Sequence, residues 1–262
     1  MSGRGLLVVT AHPDDEVLIA GGVLAACAAA GAETGVLCLT RGEQGPIADP
    51  ALATQETLGE VRERELRTAC AALGVGWVQC VRHADGLLPW TDEGSAIEDV
   101  RGAIAERAPS AVVTFGGDGL YWHPDHVAVH RFTSAALALV AKGADREAPV
   151  LYEAVWLSSA VPGLIAEMAE RGLATELWGL DPDAFGVPES DGLVEIDVTP
   201  FLDRKLRALR AHATQLTPNH VFSQIPADLA ESFLGVERFR PVGHGVDPSW
   251  LVTTAAAGAL HG

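Results

Sequence analysis

Leu6-Leu7-Val8-Val9-Thr10 is a short apolar run that breaks directly into the polar turn Ala11-His12-Pro13-Asp14-Asp15-Glu16. A run without polar alternation predicts a strand buried on both faces, hence a parallel sheet covered by helices. Val17 to Ala30 reads as a helix closed by Gly31, and Thr34 to Thr40 as the next strand. Together they predict a right-handed βαβ crossover, which fixes the start of an α/β fold.

The same alternation continues downstream. Leu58 to Leu73, Ile97 to Arg107 and Asp125 to Ala141 read as helices, and Trp77 to Val81, Ala111 to Phe115 and Val150 to Leu157 as strands. After residue 158 the pattern weakens. Pro162 to Arg171 reads as a helix and Leu193 to Val198 as a strand. Thr199 to Ala213 reads as an amphipathic helix with Thr199 as N-cap and Pro200 at its first position. The Ala-rich tail, Thr253 to Gly262, is expected to fray. The expected fold is a Rossmann-like, mostly parallel sheet flanked by helices, with a smaller irregular C-terminal elaboration. Residues 1–262 are expected to form one domain, with the core in 1–157 and the specificity region in 158–262.

Composition removes several function classes. The chain has 262 residues, 48% of them hydrophobic, with a net charge of −17 and no cluster of Lys and Arg. Nucleic acid and anionic membranes are therefore not expected partners. No apolar run is long enough to span a bilayer, and no secretory leader is recognisable, so a cytoplasmic location is expected. Cys27, Cys38, Cys70 and Cys80 form no CxxC pair and read as small buried hydrophobes in a reducing compartment. A chain this long folds without a structural metal, so a metal here would serve chemistry.

In open α/β sheets ligands bind beyond the carboxyl ends of the strands. Two polar clusters fall there: the turn after Thr10, and Tyr121-Trp122-His123-Pro124-Asp125-His126 after the strand ending at Phe115. Imidazole with carboxylate suits zinc, and two histidines argue against magnesium. The plain alternative is that Asp14, Asp15 and Glu16 cap the following helix. Two copies of His-Pro-Asp at two strand ends argue against coincidence. Spacing alone leaves His123, His126 and His130 all open as ligands. The first turn lacks a GxGxxG fingerprint, so no dinucleotide is expected.

Ala11-His12-Pro13-Asp14-Asp15-Glu16 paired with His123-Pro124-Asp125-His126 resembles the PIG-L/LmbE-like N-deacetylase family. That family includes GlcNAc-phosphatidylinositol de-N-acetylase and the deacetylases of mycothiol, bacillithiol and antibiotic pathways. The resemblance covers residues 6 to 140 well. Weaker support comes from Thr40-Arg41-Gly42-Glu43-Gln44-Gly45, from Arg62-Glu63-Arg64-Glu65, and from Lys205 to Gln215 with Ala211-His212 inside it.

The resemblance implies one Zn²⁺ per chain held by His12, Asp15 and His126, with Asp14 as general base. It implies His123 facing the developing oxyanion or leaving group, and sets His130 aside. Tyr121 is a further candidate for the oxyanion, and Asp125 for orienting His123 and favouring its charged form. Arg41, Glu43, Arg62 and Asp85 are candidate substrate contacts; solvated charges and a turn residue are the plain alternatives. The implied activity is hydrolysis of an N-acetyl amide on a GlcNAc-containing small molecule. Two other readings stand beside it: an amidase acting on a thiol S-conjugate, and a non-catalytic sugar-binding protein of the same fold. Homo-oligomerisation is left open.

Overall fold

Gly5–Thr10 (β1) is buried at every position, as its unbroken apolar run requires, and pairs in parallel with strands on both sides. The computed structural model describes residues 5–143, 148–243 and 249–259. The parallel part of the sheet is completed by Glu33–Thr40 (β2), Trp77–His83 (β3), Ala111–Phe115 (β4) and Val150–Val155 (β5). Val194–Asp197 (β6) and Val236–Val242 (β7) add an antiparallel edge, giving the order β3-β2-β1-β4-β5-β7-β6. Chain order reverses at β1, between β2 and β4. A crevice opens where connections leave a sheet in opposite directions, and the two polar clusters follow β1 and β4.

The helices are Asp15–Ala29 (α1), Leu58–Leu73 (α2), Glu93–Arg107 (α3), the short turn Gly119–Trp122 (α4), Pro124–Gly143 (α5) and Ala160–Glu170 (α6). Leu202–Ala211 (α7), Val221–Gln224 (α8), Ala227–Leu234 (α9) and Ser249–Ala259 (α10) follow. Among the described residues no helix is long and apolar enough to cross a membrane.

The mostly parallel sheet flanked by helices is as the sequence predicts. α1 is apolar on all sides because it is covered on all sides. One side meets the sheet; α7 and α10 cover the rest. Small residues permit the approach. A Cβ on Gly22 would stand 2.4 Å from Val198, and one on Gly258 would stand 2.0 Å from the Ala26 carbonyl. Any side chain at either position would push α1 off its neighbours.

Three local expectations change. Thr199 does not cap α7: Thr199–Phe201 forms a 3-10 turn, Phe201 occupies the cap position, and the Thr199 amide is taken by Asp197 Oδ1 at 2.9 Å. The tail is helical to Ala259, held by packing on α1; residues 260–262 of the predicted frayed stretch lie outside the described residues. The antiparallel β7 and the helix α9 are not legible in the sequence, because Arg and Pro interrupt the apolar pattern of β7 and α9 is only eight residues long. These elements matter for the site, since β7 pairs with β5 and ties the C-terminal segment to the same sheet.

Candidate active site

The turn after β1 carries a backbone distortion. Asp14 sits at φ 115°, ψ −30°, although it is not glycine, and its side chain makes no capping hydrogen bond to α1. Such a conformation costs about 1–3 kcal/mol and persists only where the surroundings impose it. Two groups impose it here. Glu16 Oε2 accepts the Asp14 amide at 3.0 Å, and the Arg62 guanidinium, reaching over from α2, donates to the Pro13 carbonyl at 2.6 Å and to Asp14 Oδ2 at 3.0 Å. Glu16 is completely buried and is itself held by His212 Nε2 at 2.8 Å, from the end of α7. The carboxylate that a simple helix start would use as a cap is thus turned into the cleft.

The neighbouring acid behaves differently. Asp15 Oδ2 accepts the His12 amide at 2.8 Å, fixing the turn, and its oxygens lie 3.4 Å from His12 Nδ1 and 3.3 Å from His126 Nε2. His126 Nε2 and His12 Nδ1 are 3.2 Å apart. The far nitrogens of both rings are occupied. His12 Nε2 faces Asp125 Oδ2 at 3.2 Å and Asp85 Oδ1 at 3.1 Å, and His126 Nδ1 faces the Gly119 carbonyl at 3.1 Å. With a proton on the outer nitrogen of each neutral ring, the inner nitrogens would turn lone pairs toward each other and toward Asp15, as metal ligation requires.

The two inner nitrogens stand 3.2 Å apart, each beside a different oxygen of Asp15 at 3.3–3.4 Å, and a cation among them would balance their charge. For zinc at about 2.0–2.1 Å from nitrogen, tetrahedral ligands stand about 3.3–3.4 Å apart, so this donor set fits such an ion. A second set is also close: donor atoms of His12, His123 and His126 lie within 4.8 Å of one another.

The charges reflect this crowding. Burial works to lower the His12 pKa, but hydrogen bonds to Asp125, Asp15 and Asp85 outweigh it and raise the pKa well above the usual imidazole range. Burial works to raise Asp15, yet His126 and His12 hold it well below the carboxylate range. Burial pushes Asp14 up to about 6, against the pull of Arg62. A metal entering here displaces the His12 proton, so its affinity falls with acidity.

His123 lies beside this centre, its ring centroid 4.9 Å from that of His12. Its Nδ1 accepts the Asp125 amide at 3.2 Å, which leaves the neutral ring's proton on Nε2. Burial, reinforced by His126 and His12, holds its pKa down at about 4. The expected charged His123 is therefore corrected to a neutral N–H donor. The expected role of Asp125 is corrected in part. Asp125 orients His123 through its backbone amide and works to raise that ring's pKa, but is outweighed; its carboxylate accepts the Gly86 and Leu88 amides at 2.7 and 3.1 Å and supports His12. Tyr121 packs edge-on against His126 at 5.3 Å, and burial raises its pKa.

The four expected substrate contacts are placed differently. Arg62 lines the cleft, but its guanidinium is committed to Gly42, Pro13 and Asp14. Asp85 lines the cleft beneath His12 and also accepts the Gln44 amide at 2.7 Å. Glu43 lies outside the cleft lining and accepts the Asp85 amide at 3.1 Å, so it clasps one loop to the next. Arg41 also lies outside the lining and packs over Gly59. His130 is turned away, with Nδ1 3.1 Å from the Phe115 carbonyl.

The cleft has a volume of about 340 Å³. Trp156, Trp178, Leu180 and Phe185 also line it, residues for which the sequence carries no signal. Glu16 and His212 were visible as motif letters, but nothing in their spacing showed that they meet.

Residues 7–137 match the family model described as PIG-L, GlcNAc-PI de-N-acetylase. The chain is 32% identical over 274 residues to the 1D-myo-inositol 2-acetamido-2-deoxy-alpha-D-glucopyranoside deacetylase of Thermobifida fusca, covering 95% of this chain and 96% of that one. Among solved structures it resembles the N,N'-diacetylchitobiose deacetylase of Pyrococcus horikoshii, with a TM-score of 0.61, 21% identity, and 91% and 84% of the two chains covered. It also resembles GalB, the 4-carboxy-2-hydroxymuconate hydratase of Pseudomonas putida, with a TM-score of 0.64, 19% identity, and 93% and 98% covered. At such identities the structural likeness speaks for the fold alone.

Proposed function

The chain belongs to the GlcNAc-PI de-N-acetylase (PIG-L) family, and from that premise we propose that it hydrolyses the N-acetyl amide of a GlcNAc-containing small molecule at a zinc ion held by His12, Asp15 and His126. One acetamide and one water give acetate and a free amine. The observation that carries this reading is a pair of imidazole nitrogens 3.2 Å apart, each with an Asp15 oxygen at 3.3–3.4 Å, beside a carboxylate held in a strained turn. Asp15 is preferred over His123 as third ligand because its oxygens are within that distance of both rings, and because the second His123 nitrogen carries a proton.

When bound, the metal would polarise the amide carbonyl and make water nucleophilic near neutral pH. The remaining work falls to the protein. Asp14, aimed into the cleft and kept basic by burial, takes the proton from the attacking water and delivers it to the departing amine. His123 donates its Nε2 proton in a hydrogen bond to the carbonyl oxygen as that oxygen becomes negative. Tyr121, whose ring packs against both His123 and His126, supplies a second donor to that oxygen. Arg62, Glu16 and His212 do not touch substrate; they hold Asp14 in its working conformation. Residues 1–262 act as one unit, with 158–262 completing the cleft wall and setting specificity.

The test is acetate release from N-acetylglucosaminides by zinc-loaded protein, wild type against Asp14→Ala. A loss of about 10²–10⁴-fold in kcat, with zinc content unchanged, is expected for removal of a general base. An Asp14→Ala variant as active as wild type would overturn the assignment. Metal content of the purified protein tests the ligand set separately: His126→Ala should lose zinc and His123→Ala should keep it.

A further inference from the structure

One part of the cleft lining is built from rings. Trp156 and Phe185 stack at 24° with centroids 5.9 Å apart, and Tyr121 meets Phe185 at 4.9 Å, so the wall runs continuously back to the proposed oxyanion side. Trp178 completes it, and its backbone is strained: φ is +49°, a left-handed conformation for a bulky residue. Three contacts fix it there. Its Nε1 donates to the Gln215 carbonyl at 3.2 Å, and its ring lies 4.4 Å from His220 and 5.9 Å from Phe222. A Trp held in an unfavourable backbone state, against the cleft, by contacts on its back is a wall built for something in front of it.

The polar groups in this part are mostly committed. Gln215 Nε2 donates to the Pro46 carbonyl and to Thr214 Oγ1, and the Arg62 guanidinium is taken by the Asp14 turn. Among the described residues lining the cleft outside the catalytic cluster, the Gln44 side chain, the Gln215 side-chain oxygen and the Trp156 indole N–H have no hydrogen-bond partner within the protein, too few polar groups to match every hydroxyl of a ring polyol. A cyclic polyol carries a hydroxyl on every carbon, and each one taken from water requires a partner. An aromatic ring requires none and gains by stacking.

We propose that this part of the cleft is a subsite for a flat aromatic aglycone carried by the N-acetylated amino sugar, and that Trp178 sets the preference for it. The proposal rests on the deacetylase reading above, and names the class of substrate that reading leaves open.

The experiment measures kcat/KM for acetate release from three N-acetylglucosaminides that share one anomeric linkage and differ in aglycone: phenyl, methyl and inositol. Zinc-loaded wild type should prefer the phenyl glycoside by about tenfold or more, as ring stacking on this wall would give. Trp178→Gly, which tolerates the positive φ, should bring the phenyl-to-methyl ratio close to one, and Trp178→Phe should restore most of it. Equal or better turnover of the inositol glycoside, or a phenyl preference that survives Trp178→Gly, would overturn the subsite.

Calorimetric titration with phenyl glucosaminide, the deacetylated product, gives a readout independent of turnover. A several-fold weaker affinity in Trp178→Gly supports the subsite, and unchanged affinity sinks it. Absence of acetate release from all three glycosides would count against the deacetylase reading, and the calorimetry would still decide the subsite.

Discussion

Asp14 and Trp178 line one cleft, and both are non-glycine residues at positive φ. They are held by different physics. Asp14 is locked by charges and directed hydrogen bonds: Arg62 on its carboxylate, Glu16 on its amide, His212 behind Glu16. Trp178 is held by ring packing and one indole hydrogen bond. Directed polar contacts in a buried site are all-or-none, because removing one partner leaves the other unpaired and desolvated. Apolar contacts degrade gradually with area. The chemical part should therefore fail abruptly on mutation, and the apolar part should respond in degrees.

The sharpest break is expected at Arg62. Arg62→Met removes the guanidinium that ties Asp14 to the Pro13 and Gly42 carbonyls, and strips the buried carboxylate of its charge partner. The cost should be about 3–5 kcal/mol in chemical denaturation, with deacetylation falling far more than zinc content. A variant that keeps both stability and activity would mean that the strained turn stands without it.

Next comes the support of His12. Asp125→Ala should weaken zinc binding by about 10–100-fold in a competition titration with a chelator. Asp85 also contacts His12 Nε2, at 3.1 Å, so the loss should sit near the lower bound and grow when Asp85→Ala is added. If the double variant binds zinc no more weakly than the single one, Asp85 does not share the task.

The His212–Glu16 pair gives a pH signature. Burial works to lower the His212 pKa, but Glu16 outweighs it and the net shift is upward. A pKa raised on folding stabilises fully below the unfolded value, about 6.5, and that stabilisation is lost as pH rises through the folded value. His212→Gln should therefore be less stable than wild type by a wider margin at pH 6 than at pH 9. A margin that is flat or grows with pH would show that the pair is not charged.

The smallest effect is expected at the apolar rings of the wall. Phe185→Leu keeps an apolar wall and should change kcat/KM on an aryl glycoside by only a few-fold, with no change in zinc content. An abrupt loss there would erase the contrast between the two parts.

Much of the chemical part could be read from the chain alone. Hydrophobic runs set β1 and β4, and the residues after them had to emerge at one sheet edge, because parallel strands leave their carboxyl ends on the same side. Resemblance then singled out His12, Asp14, Asp15 and His126 within those residues. The apolar part was not readable. Trp156, Trp178, Leu180 and Phe185 lie in segments where periodicity is broken, and a tryptophan facing a cleft looks the same in sequence as one facing a core.

The sequence by itself determined the βαβ start, the buried parallel strands and the two polar turns, because these depend on periodicity and turn chemistry over a few neighbouring residues. Tertiary structure decided the partners. Asp125 supports His12 across 113 positions, and His212 supports Glu16 across 196. Donors, acceptors and charges recognise one another by distance in space. Nothing local in the chain records which carboxylate will meet which imidazole once the sheet has brought them together.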